Sequence, residues 1–175
     1  MILPNVLNLD LTNPTLCQSA WECYQAGFAG PPWNESWELA TIEADFRASL
    51  QRPLSHCITV VMKEKVVGLS LGYVISLAEL SEDLGIDAVP SLSKECLVAY
   101  HDDVVVHPDF QGHGIGWILY NQLMHWATQR NLTHCVARTL SDPPTIVYSW
   151  YQRLGFKITA RYESPDNRVI LTRSL

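Results

Sequence analysis

The chain has 175 residues, of which 47% are hydrophobic and 17% charged, so it predicts one globular domain over residues 1–175 and excludes a disordered chain. The net charge of −6 argues against nucleic acid as the main partner. No apolar run could span a bilayer and the first basic residue is Arg47, so neither a membrane anchor nor a secretory signal is expected. Five cysteines without a Cys-x-x-Cys pair are typical of a reduced, cytoplasmic protein.

Runs rich in β-branched and other apolar residues predict the strands of the protein. They lie at residues 6–10, 56–62, 66–77, 97–106, 133–140, 157–163 and 168–172. Lys63-Glu64-Lys65 joins the second run to the third as a hairpin. Residues 78–95 have mixed polarity and are expected to form a loop with a helical turn.

Helical patterns alternate with some of these strands. They lie at residues 14–26, 35–50, 114–130 and 143–154. Asn13 and Asn34 are expected to cap the first two helices, Gly27 to end the first, and Pro143-Pro144 to open the last. The order β, α, α, β, β, β, α, β, α, β, β predicts an α/β (α+β) fold with a mixed sheet.

The most informative stretch follows the strand at 97–106. After Pro108 comes Gln111-Gly112-His113-Gly114-Ile115-Gly116, and a helical pattern continues from there. Glycines between a strand and a helix let the backbone approach a ligand, and the N–H groups of a helix start favour an anion such as phosphate. The stretch lacks the Gly-Lys-Ser/Thr of a P-loop, and its glycine spacing does not match a dinucleotide fingerprint.

This order of residues resembles the Arg/Gln-x-x-Gly-x-Gly/Ala signature of the GNAT family of N-acetyltransferases. A second match is Trp150-Tyr151-Gln152-Arg153-Leu154-Gly155-Phe156, which is similar to the family's aromatic-Tyr-x-x-x-Gly-Phe segment. The order of elements is also that of the family, so the resemblance covers essentially the whole chain. It implies a mostly antiparallel central sheet flanked by helices, and acetyl-CoA as the acyl donor.

The resemblance also implies the residues that hold the donor. The backbone of Val104, Val105 and Val106 would pair with the pantetheine amides, and an N–H group there would polarise the thioester carbonyl. The pyrophosphate would lie on the amides of Gln111, Gly112, His113, Gly114, Ile115 and Gly116. Ser141-Asp142 stands where the family often has an Asn that binds the pantetheine arm, so Ser141 or Asp142 is expected to substitute for it. Tyr148 is expected to make a further contact. Tyr151 would protonate the leaving thiolate in a direct attack that needs no acyl-cysteine.

The base that deprotonates the acceptor is expected at the strand before the turn. Period-2 alternation places Tyr100, Asp102, Val104 and Val106 on one face, with His101, Asp103 and Val105 on the other. Acetyltransferases of small amines often carry an acid at the position of Asp102, and Asp103 follows it as a second. An aspartate needs a water relay to deprotonate an ammonium, so the base stays open between Asp102, Asp103 and an ordered water. Because neighbours on a strand diverge, His101-Asp102-Asp103 predicts no metal site.

The acceptor is predicted from an uneven distribution of charge. Residues 1–46 contain no Lys or Arg but six acidic residues, Asp10, Glu22, Glu35, Glu38, Glu43 and Asp45. Six aromatic residues lie among them, Trp21, Tyr24, Phe28, Trp33, Trp37 and Phe46. In the GNAT family the first two helices usually border the acceptor site, so we expect a small cationic amine that is polyamine- or aminoglycoside-like. The alternatives are a peptide or protein N-terminus or Lys, or a non-catalytic acyl-CoA-binding domain. The oligomeric state stays open, with a homodimer among the options.

One competing motif predicts a different enzyme. Gly68-Leu69-Ser70-Leu71-Gly72 matches the Gly-x-Ser-x-Gly elbow of serine hydrolases. That elbow requires a strand, a sharp turn and a helix, whereas the β pattern here continues on both sides. Ser70 is therefore expected to lie in the middle of a strand.

Overall fold

The computed structural model describes residues 4–142, 145–163 and 167–175. The strands in these ranges are β1 Asn5–Asn8, β2 His56–Met62, β3 Lys65–Ser76, β4 Leu97–Val106, β5 His134–Leu140, β6 Lys157–Arg161 and β7 Arg168–Ser174. The helices in these ranges are α1 Pro14–Ala29, α2 Leu39–Leu50, α3 Leu77–Leu84, α4 Ile115–Thr128 and α5 Ile146–Arg153. A short 3-10 turn, Pro108–Phe110, follows β4.

The strands form one sheet in the order β1-β2-β3-β4-β5-β7-β6. Strand β1 pairs with β2, β2 with β3, β5 with β7 and β6 with β7, each in antiparallel fashion. Strands β4 and β5 are parallel, with His101 opposite Ala137. The prediction of a mixed, mostly antiparallel sheet with helices is therefore confirmed.

The described residues divide into two compact units. The first draws on residues 1–73 and 102–126, and the second on residues 74–101 and 127–175. Strands β3 and β4 each continue from one unit into the other. The single domain expected over residues 1–175 stays a prediction.

In the first unit, helices α1 and α2 pack on one face of the strands. Trp21 of α1 lies against Phe46 of α2, with ring centroids 4.9 Å apart, and Val105 of β4 belongs to the same buried cluster. Gly27 was expected to end α1, which is wrong, because the helix continues to Ala29. A Cβ at position 27 would lie 1.9 Å from Val105 Cγ2. The glycine therefore serves the close approach of α1 to β4.

The predicted start of α2 is also wrong. The helix begins at Leu39, after Glu38, which makes no side-chain cap hydrogen bond. Asn34 instead has a φ of +51° and donates its N–H to the carbonyl of Gly30, at 3.0 Å. Asn tolerates this left-handed conformation better than most residues, so it turns the chain here.

Helix α4 packs on another buried cluster of the first unit. Its residues Ile115 and Leu119 belong to that cluster, and Val104 and Val106 pack against it while Val105 packs with α1 and α2. This is the alternation that the sequence predicts for β4.

The serine of the hydrolase-like motif lies inside the sheet. Ser70 is fully buried in β3 and pairs with Ile58 of β2. A Cβ at Gly68 would lie 2.7 Å from Ile115 Cγ2, so this glycine serves packing against α4. As predicted, the motif is not a nucleophile elbow.

The second unit adds a helix where mostly loop was expected. Helix α3 occupies Leu77–Leu84; Ser76 Oγ accepts from the N–H of Glu79 at 3.2 Å, and Gly85 ends the helix with a φ of +65°. Helix α5 is capped by Thr145, whose Oγ1 accepts from the N–H of Tyr148 at 2.9 Å. The predicted opening of this helix at Pro143-Pro144 lies outside the described residues.

Candidate active site

The Gly-rich turn leaves its backbone open to a ligand. Gly112 and Gly114 have φ values of +77° and +81°, which favour glycine, and a Cβ at either position would meet nothing within 4 Å. The carbonyl of Gly114 accepts from the N–H of Ile118 at 3.1 Å. The N–H groups of the first turn of α4 have no acceptor within the helix, so the turn can bind an anion.

Two side chains of the turn bind its own backbone. Gln111 Nε2 donates to the carbonyl of Val106 at 3.2 Å, and His113 Nδ1 lies 2.9 Å from the carbonyl of Gln111. Residues 111–114 are exposed, whereas Ile115 is buried. The predicted pyrophosphate-binding residues are therefore joined in one turn, tied to the end of β4.

Asp102 and Asp103 both line a cavity of about 200 Å³ in the first unit. It is lined by Tyr24, Trp37, Ile42, Asp45, Phe46, Ser49, Leu71, Asp102 and Asp103. Alternation predicted opposite faces for Asp102 and Asp103, yet both line this cavity. These lining residues, all within the described ranges, include no Lys or Arg.

Aromatic side chains from α1 and α2 hold one side of the cavity. The hydroxyl of Tyr24 donates a hydrogen bond to Asp103 Oδ2 at 3.3 Å. The centroid of the Tyr24 ring lies 4.6 Å from that of Phe28 and 5.3 Å from that of Phe46. Burial raises the pKa of Tyr24, and the Asp103 carboxylate raises it further. The hydroxyl therefore stays protonated at neutral pH and remains a donor.

The sequence named Tyr24, Trp37, Asp45 and Phe46 among the acidic and aromatic residues of segment 1–46, and these four line the cavity. The same segment also contributes Ile42. Its other acidic residues do not line it. The spacing of Phe46 on an apolar helix face could have indicated an inward position, whereas Asp45 carries no local signal.

Tyr151 lies in the second unit, buried beside a histidine that sequence reasoning placed without a function. Tyr151 Oη is 2.7 Å from His101 Nδ1. The edge of the Tyr151 ring also packs against Phe156, with centroids 4.9 Å apart. The Tyr and the Phe of the family-like segment therefore meet in space, as part of one packed cluster.

The remaining predicted donor contacts lie at the end of β5 and on α5. Ser141 donates from both its N–H and its Oγ to the carbonyl of Asn167, at 3.0 and 3.1 Å. Asn167 Nδ2 donates to the carbonyl of Asp142 at 3.0 Å, and the Tyr148 hydroxyl accepts from Gln152 Nε2 at 2.9 Å. Their roles toward a ligand stay predictions.

The buried cysteines are poor nucleophiles. Burial raises the pKa of Cys23 to about 12, and it also raises the pKa of Cys57 and of Cys135. These thiols are protonated at neutral pH, which suits a direct attack rather than an acyl-cysteine.

The described ranges contain neither a candidate metal site nor a candidate membrane-spanning helix. No three His, Cys, Asp or Glu residues there form a group that could hold a metal ion. Of the helices in those ranges, none combines the length and apolar character needed to cross a membrane.

The sequence matches the family model described as "Acetyltransferase (GNAT) family" over residues 13–156. This match covers most of the chain, including the Gly-rich turn and Tyr151. The chain therefore belongs to the GNAT family of acetyltransferases, and the resemblance stated from its motifs is confirmed.

Individual relatives agree with this assignment. A segment of 54 residues is 43% identical to the uncharacterised N-acetyltransferase ycf52 of Pyropia yezoensis, covering 31% of this chain and 29% of that protein. The ribosomal-protein-S18-alanine N-acetyltransferase of Escherichia coli has a TM-score of 0.67 at 16% identity, over 98% of this chain and 94% of that one. The aminoglycoside N-acetyltransferase AAC(6')-Iy, in complex with CoA, has a TM-score of 0.69 at 17% identity, over 93% of each chain. The structural likenesses concern the fold, which these two enzymes share despite acceptors of different chemistry.

Proposed function

We propose that the protein is an acetyl-CoA-dependent N-acetyltransferase whose acceptor is a small amine with a positive charge beyond the reacting group. The observation that carries this proposal is the cavity bordered by Asp45, Asp102 and Asp103. Three aromatic residues, Tyr24, Trp37 and Phe46, also line it. Carboxylates and aromatic faces both attract cations, and no lining Lys or Arg opposes them.

The size of the cavity favours a small acceptor. Sites for drug-sized ligands occupy roughly 300–1,000 Å³. A cavity of about 200 Å³ fits a short diamine, or one amine-bearing end of a larger cation. Asp45 is exposed and Trp37 is 37% exposed, so this side of the cavity is open to solvent. A second positive charge of the acceptor would find Asp45 there.

The donor half of the proposal rests on family membership and on the Gly-rich turn. Acetyl-CoA supplies the thioester carbon that the amine attacks. The amides of residues 111–116 would bind the pyrophosphate, with those of Gly112 and Gly114 in open backbone, while the N–H of Gln111 donates to the carbonyl of Pro108 at 3.2 Å. The backbone of Val104, Val105 and Val106 would bind the pantetheine arm. A structural neighbour was solved with CoA, which supports this donor.

Proton transfer is assigned to residues of this chain. Asp102 or Asp103 would take a proton from the ammonium through a water, because a carboxylate is a weak base for direct transfer. An N–H group at Val104–Val106 would polarise the thioester carbonyl. Tyr151 would protonate the thiolate as it leaves.

Thiol release from acetyl-CoA, measured with pools of monoamines, diamines, aminoglycosides and peptides, tests the proposal. A short diamine is expected to give the highest kcat/KM, with a steep decrease as salt rises. The Debye length falls from about 10 Å at 0.1 M to about 3 Å at 1 M, which screens an acidic cavity. A neutral or anionic best acceptor with a flat salt profile would refute the cationic acceptor, and a peptide as best acceptor would favour the alternative.

Matched Asp→Asn variants assign the charge recognition to the cavity. Asp45→Asn and Asp102→Asn are expected to raise KM about tenfold for a diamine, about 1.4 kcal/mol, and less for a monoamine. Asp83→Asn is the control, because Asp83 is exposed on α3 and does not line the cavity. Equal increases in all three variants would show that only the overall charge matters.

A further inference from the structure

A buried histidine contacts the tyrosine that the proposed function uses as its acid. Tyr151 Oη lies 2.7 Å from His101 Nδ1, and the two residues are 3% and 1% exposed. Their rings meet edge-on, with centroids 5.8 Å apart at 82°. Polar atoms this close share a hydrogen, and either partner has the chemistry to supply it.

The surrounding elements hold both partners in place. His101 lies in β4 opposite Ala137 of β5. The carbonyl of Tyr151 accepts from the N–H groups of Leu154 and Phe156, at 3.1 Å each. With ring and backbone held, the main freedom left to the phenol is the direction of its hydroxyl hydrogen. Whether His101 Nδ1 carries a hydrogen determines whether the hydroxyl hydrogen points toward it.

The protonation of Nδ1 determines whether Tyr151 can act as an acid. With a lone pair on Nδ1, the Tyr151 hydroxyl donates to His101, and its proton is committed to the imidazole. With a hydrogen on Nδ1, His101 donates to Oη, and the hydroxyl proton is available to another acceptor. A buried phenolate is costly unless it accepts a hydrogen bond, and the second arrangement supplies that bond.

We propose, on the basis of the proposed acetyl transfer, that His101 is a positioning residue that donates Nδ1–H to Tyr151 Oη. When the thiolate leaves, the O–H bond of Tyr151 breaks and an S–H bond forms. The negative charge passes from sulfur to the phenolate, which His101 stabilises by its hydrogen bond. The phenolate regains a proton from water after the products leave. His101 keeps its hydrogen on Nδ1 throughout.

A double-mutant cycle tests this role in turnover. His101→Leu is expected to lower kcat about ten- to a hundredfold, the effect of losing a hydrogen bond to a charged group, with KM for acetyl-CoA within about twofold. His101→Asn, whose side-chain amide can donate from near the place of Nδ1, is expected to recover most of the loss. In the Tyr151→Phe background, His101→Leu is expected to change kcat no further. The same fold-loss in both backgrounds would overturn the proposal.

The tautomer provides a readout that is taken on the wild-type protein and needs no turnover. Long-range ¹H–¹⁵N correlation of the ¹⁵N-histidine-labelled wild-type protein is expected to show His101 with its hydrogen on Nδ1. The signal is assigned by its loss in His101→Asn. A hydrogen on Nε2 alone in an active enzyme would overturn the role of His101 and leave the proposed function standing. Absence of acetyl transfer by the wild-type protein would overturn both.

Discussion

The Gly-rich turn and the Tyr151–His101 pair are built in opposite ways. The turn is exposed, and its side-chain hydrogen bonds reach back only two and five residues, to Gln111 and Val106. The pair is buried and joins residues 50 positions apart in the sequence. The chemistry proposed for the turn lies in its backbone N–H groups, whereas that proposed for the pair lies in one hydroxyl hydrogen. The proposed binding would therefore depend on a local turn, and the proposed proton transfer on packing.

The largest effect is expected from a substitution in the Gly-rich turn. Gly114→Glu places a side chain and a negative charge where the pyrophosphate is expected. Calorimetry should show the affinity for acetyl-CoA falling by about two orders of magnitude or more, about 3 kcal/mol.

A matched variant separates this loss from backbone strain. Gly85→Glu introduces the same side chain at a glycine with a φ of +65° and open space around its Cβ position. It is expected to lower stability to a similar degree and to leave the affinity for acetyl-CoA unchanged. A folded Gly114→Glu protein with wild-type affinity would remove the turn from the donor site.

The next largest effect is expected from removing the Tyr151 hydroxyl of the buried pair. Tyr151→Phe is expected to lower kcat about 10²-fold, the lower end of general acid catalysis, with little change in the affinity for acetyl-CoA. Steady-state thiol release measures kcat, and calorimetry measures the affinity for acetyl-CoA.

The control for this loss is another tyrosine of the second unit. Tyr162→Phe also removes a hydroxyl that makes a hydrogen bond, here to the carbonyl of Leu84 at 2.9 Å. Its kcat is expected to stay near the wild-type value. If Tyr151→Phe also keeps kcat within about twofold while chemistry limits the rate, Tyr151 is only a packing residue.

The smallest effect is expected from a substitution that changes packing and replaces none of the proposed site residues. Gly27→Ala adds a methyl group 1.9 Å from Val105 Cγ2, so it should destabilise the protein by about 1–3 kcal/mol although Ala favours a helix. Denaturant unfolding measures the change. Gly30→Ala is the matched control, because a Cβ there meets nothing within 4 Å, and it should be nearly neutral. Equal stability of the two variants would contradict the close approach of α1 to β4.

The two wrong helix boundaries show where local reasoning stops. Gly27 has the sequence signature of a helix end, but the neighbour that requires a glycine there is Val105, 78 positions later in the sequence. Asn34 has the signature of a helix cap, but it turns the chain instead, and α2 starts five residues later. A glycine can end a helix or allow close packing, and an asparagine can cap a helix or turn the chain. Contacts with residues outside the neighbouring sequence determine which of these occurs.

The sequence by itself determined the fold class, the position of the Gly-rich turn and the family, because these depend on periodicity and on the order of a few adjacent residues. It also led to the prediction that the acidic, aromatic segment 1–46 borders the acceptor site. Only the tertiary structure decided that Asp45, Asp102 and Asp103 share one cavity, and that His101 meets Tyr151. Such contacts join strands and helices that are far apart in the chain, and the sequence alone does not give the distances between them.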